Sequence, residues 1–271
     1  MFNNNIRVES VPKRVFEFCR IAAQNPIQVK ELQEKIFPSK LNSGTSNYFT
    51  YVREAALELD LVMIDENDVV SFIGNKDVVK NLDEFRRYCN SVVWKDHTVY
   101  FYKIAVAFLE SNLEWLKYKS FTSSTEVQSE VRNFVGNDND LPRHLLGERF
   151  WMSFLGFGQI QEMGNNSIWF LPNMYEALKD FIVLSNVPVG KEMTVGEFVE
   201  HIRDYASVAL TATESTHKFN YAMSSALRAL HDNKEIMLKR NSDSEEIWSL
   251  YTLQSHEFTS EITHVVVKGV K

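Results

Sequence analysis

Cysteine is scarce in this chain: Cys19 and Cys89 are the only two, each in an apolar stretch and without motif spacing. Two lone thiols argue against a disulfide framework and fit a reducing compartment. Long uncharged apolar runs are missing too. The most apolar stretch, Val99 to Tyr118, is interrupted by Lys103, Glu110, Glu114 and Lys117, which argues against a membrane span. The opening MFNNNIRVES has no positive segment followed by an apolar run, so no secretory signal is expected and the expectation is a cytoplasmic protein. There is no P-loop pattern, no GxGxxG after a strand, no HExxH and no GxSxG. The histidines (His97, His144, His201, His217, His231, His256 and His264) do not stand at metal-ligand spacing. No catalytic residue, metal or cofactor is therefore expected. A cationic excess is absent as well: the formal net charge is −7. Affinity for DNA comes largely from neutralised phosphates, so any DNA-binding face would need its cations segregated from the acidic remainder.

What is present is one pattern repeated three times: three helical stretches, then two short apolar runs around a polar turn. In the first copy the helices are expected at Pro12–Ala23, Ile27–Ile36 and about Ser46–Asp60, followed by a hairpin of 61–64 and 69–73 around Asp65-Glu66-Asn67-Asp68. In the second they are expected at Thr98–Lys117, Glu126–Val135 and Leu141–Leu155. A break at 136–140 separates the last two, and a hairpin of 158–163 and 167–171 turns at Gly164-Asn165-Asn166. In the third they are expected at Asn173–Leu184, Thr194–Tyr205 and Thr216–Asp232. Thr194 and Glu197 stand at capping-box spacing. A hairpin of 236–239 and 247–253 follows, and 262–267 could add an edge strand. Three helices and a hairpin make the winged-helix variant of the helix-turn-helix. The expected fold is α+β, predominantly helical, with three tandem winged-helix units at 1–75, 97–172 and 173–271. Residues 76–96 would be a helical linker.

In such a fold the third helix enters the major groove of double-stranded DNA and its outward side chains reach bases or phosphates. The third unit offers His217, Lys218, Asn220, Tyr221, Ser224 and Arg228 on that helix, with Lys239 and Arg240 in the wing. Asn and Arg suit base edges, while Lys, Ser and Tyr suit phosphates. The second unit offers Arg143, His144 and Arg149, although Phe150, Trp151 and Phe154 make that helix aromatic enough for core or a protein interface. The first unit exposes Ser46, Asn47, Thr50, Tyr51 and Arg53, but its acidic wing would repel phosphate.

The three-unit order, the overall length, the opening helix Val11–Phe18 and the strand Ile262–Val267 together resemble prokaryotic multi-winged-helix proteins of anti-phage and DNA-modification loci. More specifically they resemble the DpdG-type proteins associated with deazapurine DNA modification. The resemblance supplies no catalytic residue and implies a role inside a defence complex whose other subunits do the enzymatic work. The leading expectation is a non-enzymatic DNA-binding subunit working with other protein subunits. The alternatives are a structural adaptor whose winged helices bind proteins, and a transcriptional regulator.

Overall fold

The computed structural model describes residues 7–41, 47–110, 131–136, 141–163 and 167–270. Pro12 opens α1 (Pro12–Ala22), where a helix leaves an N–H unpaired and the missing donor costs nothing. Pro12, Val15, Phe16, Phe18, Cys19 and Ala22 are its buried residues. The sequence predicts a second helix from Ile27. Instead Ile27–Gln28 is a short strand, β1, and α2 runs from Val29 to Ile36. Tertiary pairing decides this: Ile27 sits opposite Val70, and the Val29 N–H donates to the Asp68 carbonyl.

α3 (Asn47–Glu58) follows, and Asp60 reverses the chain at φ 53°. β2 (Val62–Ile64) and β3 (Val69–Phe72) then pair antiparallel, with Val62 opposite Phe72 and Ile64 opposite Val70. Asp65 shapes their turn by accepting from the N–H groups of Asn67 and Val69. β1 lies on the other side of β3, so the sheet order is β1-β3-β2 with the last strand in the middle.

The segment read as a linker lies instead in the core. After a 3-10 turn at Lys76–Val79, Asn81 caps α4 (Leu82–Val92) by accepting from the Glu84 N–H. Buried Phe85 meets Phe16 of α1 at 5.5 Å and Phe154 at 5.8 Å. Buried Trp94 stacks on Phe101 and meets Phe157 edge-on. The apolar face of α4 thus joins the first segment to the second.

α5 (Tyr100–Leu109) buries Phe101, Ile104, Ala105 and Phe108. The expected helices continue into 111–117 and begin at 126–130, and both stretches lie outside the described residues. So do 137–140 of the expected break, of which Gly136 stands at φ 83°. α6 (Leu141–Phe154) leads into a hairpin, β4 (Gly158–Met163) and β5 (Ser167–Pro172), in register from Gly158 opposite Pro172 to Met163 opposite Ser167. Its expected turn at 164–166 lies outside the described residues.

The third segment opens with α7 (Tyr175–Leu184), β6 (Glu192–Thr194) and α8 (Val195–Leu210). Both bonds of the capping box that the spacing predicts are formed by Thr194 and Glu197. The single helix expected at 216–232 is divided. α9 (Thr213–Thr216) ends at His217, whose φ of 51° turns the chain, and α10 (Tyr221–Asp232) restarts with Asn220 as its N-cap.

The expected hairpin of 236–239 with 247–253 does not form. β7 (Ile236–Lys239) pairs with β10 (His264–Val267), which also pairs with β6, giving the order β6-β10-β7. The last strand is therefore central and not an edge. Val265, Val266 and Val267 are all buried, as an unbroken apolar run in a covered strand should be. In 247–253, by contrast, Ile247, Tyr251 and Leu253 are exposed. Between β7 and β10 the chain makes a long excursion, held by a small ladder of β8 (Trp248–Ser249) and β9 (Glu261–Ile262). The architecture is α+β and mainly helical, with small antiparallel sheets.

Candidate functional site

The polar stripe that the sequence presents as an outward face of α10 turns inward, onto residues 250–260 of the excursion, here called the strap. Ser224 is fully buried: its hydroxyl accepts from the Tyr251 N–H at 2.8 Å and donates to the Phe219 carbonyl at 3.4 Å. One turn on, Arg228 is only 4% exposed. Its Nε donates to the Phe258 carbonyl at 2.9 Å and its Nη2 to the Thr259 carbonyl at 2.8 Å. Burial pulls this guanidinium below its ordinary pKa, with the Tyr221 phenol opposing.

At the end of the helix two histidine–carboxylate pairs cross reciprocally. His231 Nε2 lies 2.7 Å from Glu257 Oε1 of the strap, and His256 Nε2 of the strap lies 3.0 Å from Asp232 Oδ1. The Nδ1 of each ring accepts a backbone N–H, from Leu238 and Phe258 respectively. That bonding assigns both rings the Nε2–H tautomer. A cleft of about 490 Å³ opens beside them, lined by His231, Asp232, Lys234, Met237, Glu257 and Lys268.

The other expected DNA contacts on this segment are dispersed. Asn220 spends its side chain on the cap, accepting from the Met223 N–H and donating to the Ala209 carbonyl. His217 stacks flat on Trp248 at 4.6 Å, with Nε2 3.9 Å from Glu246. Lys239 is ion-paired with Glu192, which this contact holds below the usual carboxylate range. Arg240 pairs with Glu261 at 3.1 Å. A polar cleft of about 600 Å³ at the base of the excursion is lined by Arg240, Asn241, Ser242, Asp243, Ser244 and His264. Lys218 is exposed, and Tyr221 is 36% exposed with its ring edge-on to Tyr251. Of the eight residues expected to meet DNA here, Asn220, Ser224 and Arg228 are taken up by the cap and the strap, while His217, Lys218, Tyr221, Lys239 and Arg240 keep part of their side chains in solvent. Acids lie beside His217, Lys239 and Arg240.

On α6, His144 is buried with its ring 4.8 Å from that of Tyr100, and Arg149 is 9% exposed with its guanidinium over Phe150. Neither reaches outward as the sequence predicts, because this helix is packed on most of its circumference. The Arg143 side chain lies outside the described residues. Glu148, between them, is fully buried with no hydrogen-bond partner on either oxygen among the described residues, and burial pushes its carboxyl well up.

The first segment carries an arrangement the sequence shows only in fragments. Arg14 lies 5.1 Å from the centre of the Phe37 ring, and Phe37 lies 6.5 Å from Tyr48. Tyr51, one turn along α3 from Tyr48, has Arg7 5.4 Å above its ring. Both distances are within cation–π range. The rings are half-buried, Arg14 is exposed, and so are Lys13 and Lys40 nearby in sequence. Tyr48 and Tyr51 at helical spacing are visible in the sequence. Arg7 and Arg14, from a different part of the chain, leave no local signal.

A separate polar cluster ties the segments together. Asp180 of α7 is 1% exposed and accepts from Arg86 Nε and Asn90 Nδ2 of α4, each at 2.9 Å. Burial works to lower the Arg86 pKa, but Asp180, Glu176 and Asp83 outweigh it and raise the value. Among the described residues no group of three or more His, Cys, Asp and Glu side chains is placed to hold a metal, and no helix is long and apolar enough to cross a membrane. In comparisons with known proteins, the chain matches no family model, no curated protein and no solved structure.

Proposed function

We propose that this chain is a non-enzymatic structural adaptor whose winged-helix units hold protein partners in a larger assembly. The first and third segments support the winged-helix assignment. Each opens with a helix, a short strand and further helices and closes on a strand that is central in a three-stranded sheet, the third segment adding the short α9 and the β8–β9 ladder to the order of the first. The described residues of the second segment show α5, then α6 followed by a hairpin. Fold alone does not name a function, so the site must carry it.

The carrying observation is the strap. A helix that reads a major groove must offer its outward side chains to bases, yet Ser224 and Arg228 are spent on the strap backbone. The chain's net charge of −7, and the acids paired with Lys239 and Arg240, weaken the case for phosphate binding through this unit. The same strap turns apolar groups outward: Tyr251 and Leu253 are 43% and 44% exposed, beside Tyr221. Exposed aromatic and apolar groups at one place suit a protein partner. The resemblance to DpdG-type proteins makes a prokaryotic defence complex the first setting in which to seek it.

The test is affinity purification from the native host at about 0.5 M salt, where exposed charge pairs are screened. One stoichiometric partner is expected with the wild-type chain. It should be lost from Tyr251→Asp combined with Leu253→Asp, with thermal unfolding unchanged. A partner-free monomer, together with duplex DNA binding abolished by Lys218→Glu, would overturn the adaptor reading in favour of DNA recognition by the third unit.

A further inference from the structure

We propose that the first segment carries a binding surface for single-stranded nucleic acid, along the ladder Arg14, Phe37, Tyr48, Tyr51 and Arg7. This site lies apart from the strap and stands or falls independently of the adaptor reading. Its logic is alternation of rings and cations. Aromatic faces stack bases of any identity, and arginines add both cation–π contact and phosphate neutralisation. Here Phe37 and Tyr48 are neighbours, Tyr51 stands one turn further along α3, and a guanidinium lies over Phe37 and another over Tyr51. Lys13 and Lys40 add two exposed ammonium groups with no ion pair among the described residues. Of the bordering acids, Glu34 is engaged by the Ser39 N–H and hydroxyl and Glu17, one turn along α1 from Arg14, is paired with Arg20, while Glu9, whose carbonyl accepts from Arg14, and Glu54, one turn beyond Tyr51, also flank the ladder.

Two features favour a single strand over a duplex. Phe37 and Tyr48 are 6.5 Å apart, about twice the roughly 3.4 Å rise per base within a duplex strand. Bases lying on successive rings must therefore be unstacked from one another. The second feature is the acidic turn Asp65-Glu66-Asn67-Asp68. Asp68 accepts from Val29 at the start of α2, while Phe37 follows its end, so ladder and turn are separated by a helix roughly 12 Å long. A short flexible strand can occupy the ladder alone. A rigid duplex extending from the ladder along α2 would carry phosphates toward the carboxylates at the other end.

The experiment is fluorescence anisotropy of the full chain with labelled oligo(dT) of about 20 nucleotides, a random duplex, and a glutamate-rich peptide as probes, at about 50 and 200 mM salt. The expected result is oligo(dT) binding with a log–log salt slope of roughly −2 to −3, as for three or four neutralised phosphates. Lys13→Glu with Lys40→Glu should weaken it at least about tenfold and flatten the slope by about 1.4. Tyr48→Leu, which keeps an apolar side chain but removes the ring, should cost roughly tenfold without flattening the slope. Lys218→Glu in the third segment should change nothing, and circular dichroism should confirm that each variant folds. Absence of oligo(dT) binding at low salt, indifference to the first-segment variants, or tighter binding of the duplex or the peptide would each overturn the proposal.

Discussion

Glu148 is the residue whose isolation has the clearest thermodynamic consequence. Its carboxyl is buried without a hydrogen-bond partner among the described residues, so the folded state holds it protonated at pH values where the unfolded chain has released the proton. With the folded pKa above the unfolded one, the penalty is absent in acid. It grows as pH rises past the ordinary carboxylate range and is complete only above the folded value. Glu148→Gln is therefore expected to raise stability at pH 7 by about 1–3 kcal/mol, and to leave it nearly unchanged below about pH 4. Urea unfolding at the two pH values measures this, and an equal effect at both would sink the idea. Burial also raises both thiols, Cys19 and Cys89, and pushes Tyr88 up to about 12. At this scale some of the structure was legible. The Thr194–Glu197 capping box is legible from its spacing, whereas the Asn220 cap is not, because the residues before it read as part of one continuous helix. The role of Arg228 is not legible either, because its two acceptors lie 30 and 31 residues away and are backbone carbonyls, which carry no side-chain signature.

Among elements, the pairing of α10 with the strap is where sequence reasoning and structure part. Polar residues at 221, 224, 228 and 231 have the spacing of a solvated face, and a binary apolar/polar pattern reads them so. The pattern cannot distinguish water from a strap whose backbone offers carbonyls and N–H groups. Arg228→Met is expected to leave the Phe258 and Thr259 carbonyls without these donors and to cost about 1.5–3 kcal/mol. Hydrogen exchange should show amides in 250–260 opening faster while those of buried α5 are unchanged. Uniform acceleration across both elements would mean that the strap is not a separable element. The two sheets tell a related story. The hairpin of the first segment follows from two apolar runs around a polar turn, and the expected runs of 61–64 and 69–73 contain the observed strands whole. In the third segment the nearer apolar run, 247–253, was the obvious partner for β7. The wholly buried valines of β10 displace it because burying three β-branched side chains outweighs the shorter loop, whose closure entropy grows only slowly with length.

For the whole molecule, Asp180 is the joint. It binds α4, which sequence alone makes a linker, to α7 at the head of the third segment, with Arg86 mostly buried above it. Asp180→Ala removes the acceptor of Arg86 Nε and Asn90 Nδ2, leaving Arg86 only Asp83 and Glu176, and is expected to cost about 1.5–3 kcal/mol. If the segments are energetically one body, guanidinium unfolding of the variant should remain a single transition moved to lower denaturant. Two resolved transitions would show that the joint held separable domains together. The helical order of the chain was legible because periodicity is local, whereas the contacts of α4 with α7 span 90 or more residues and are invisible to it. The central place of β10 also sets a timetable for synthesis. His264 pairs with Thr194, roughly 70 residues earlier, and with Lys239 on its other side. At roughly 5–20 residues per second, β6 waits about 4–14 s on the ribosome for its neighbour. Until then α8 and α10 have no finished sheet to cover, which makes the nascent third segment the stretch most in need of a chaperone.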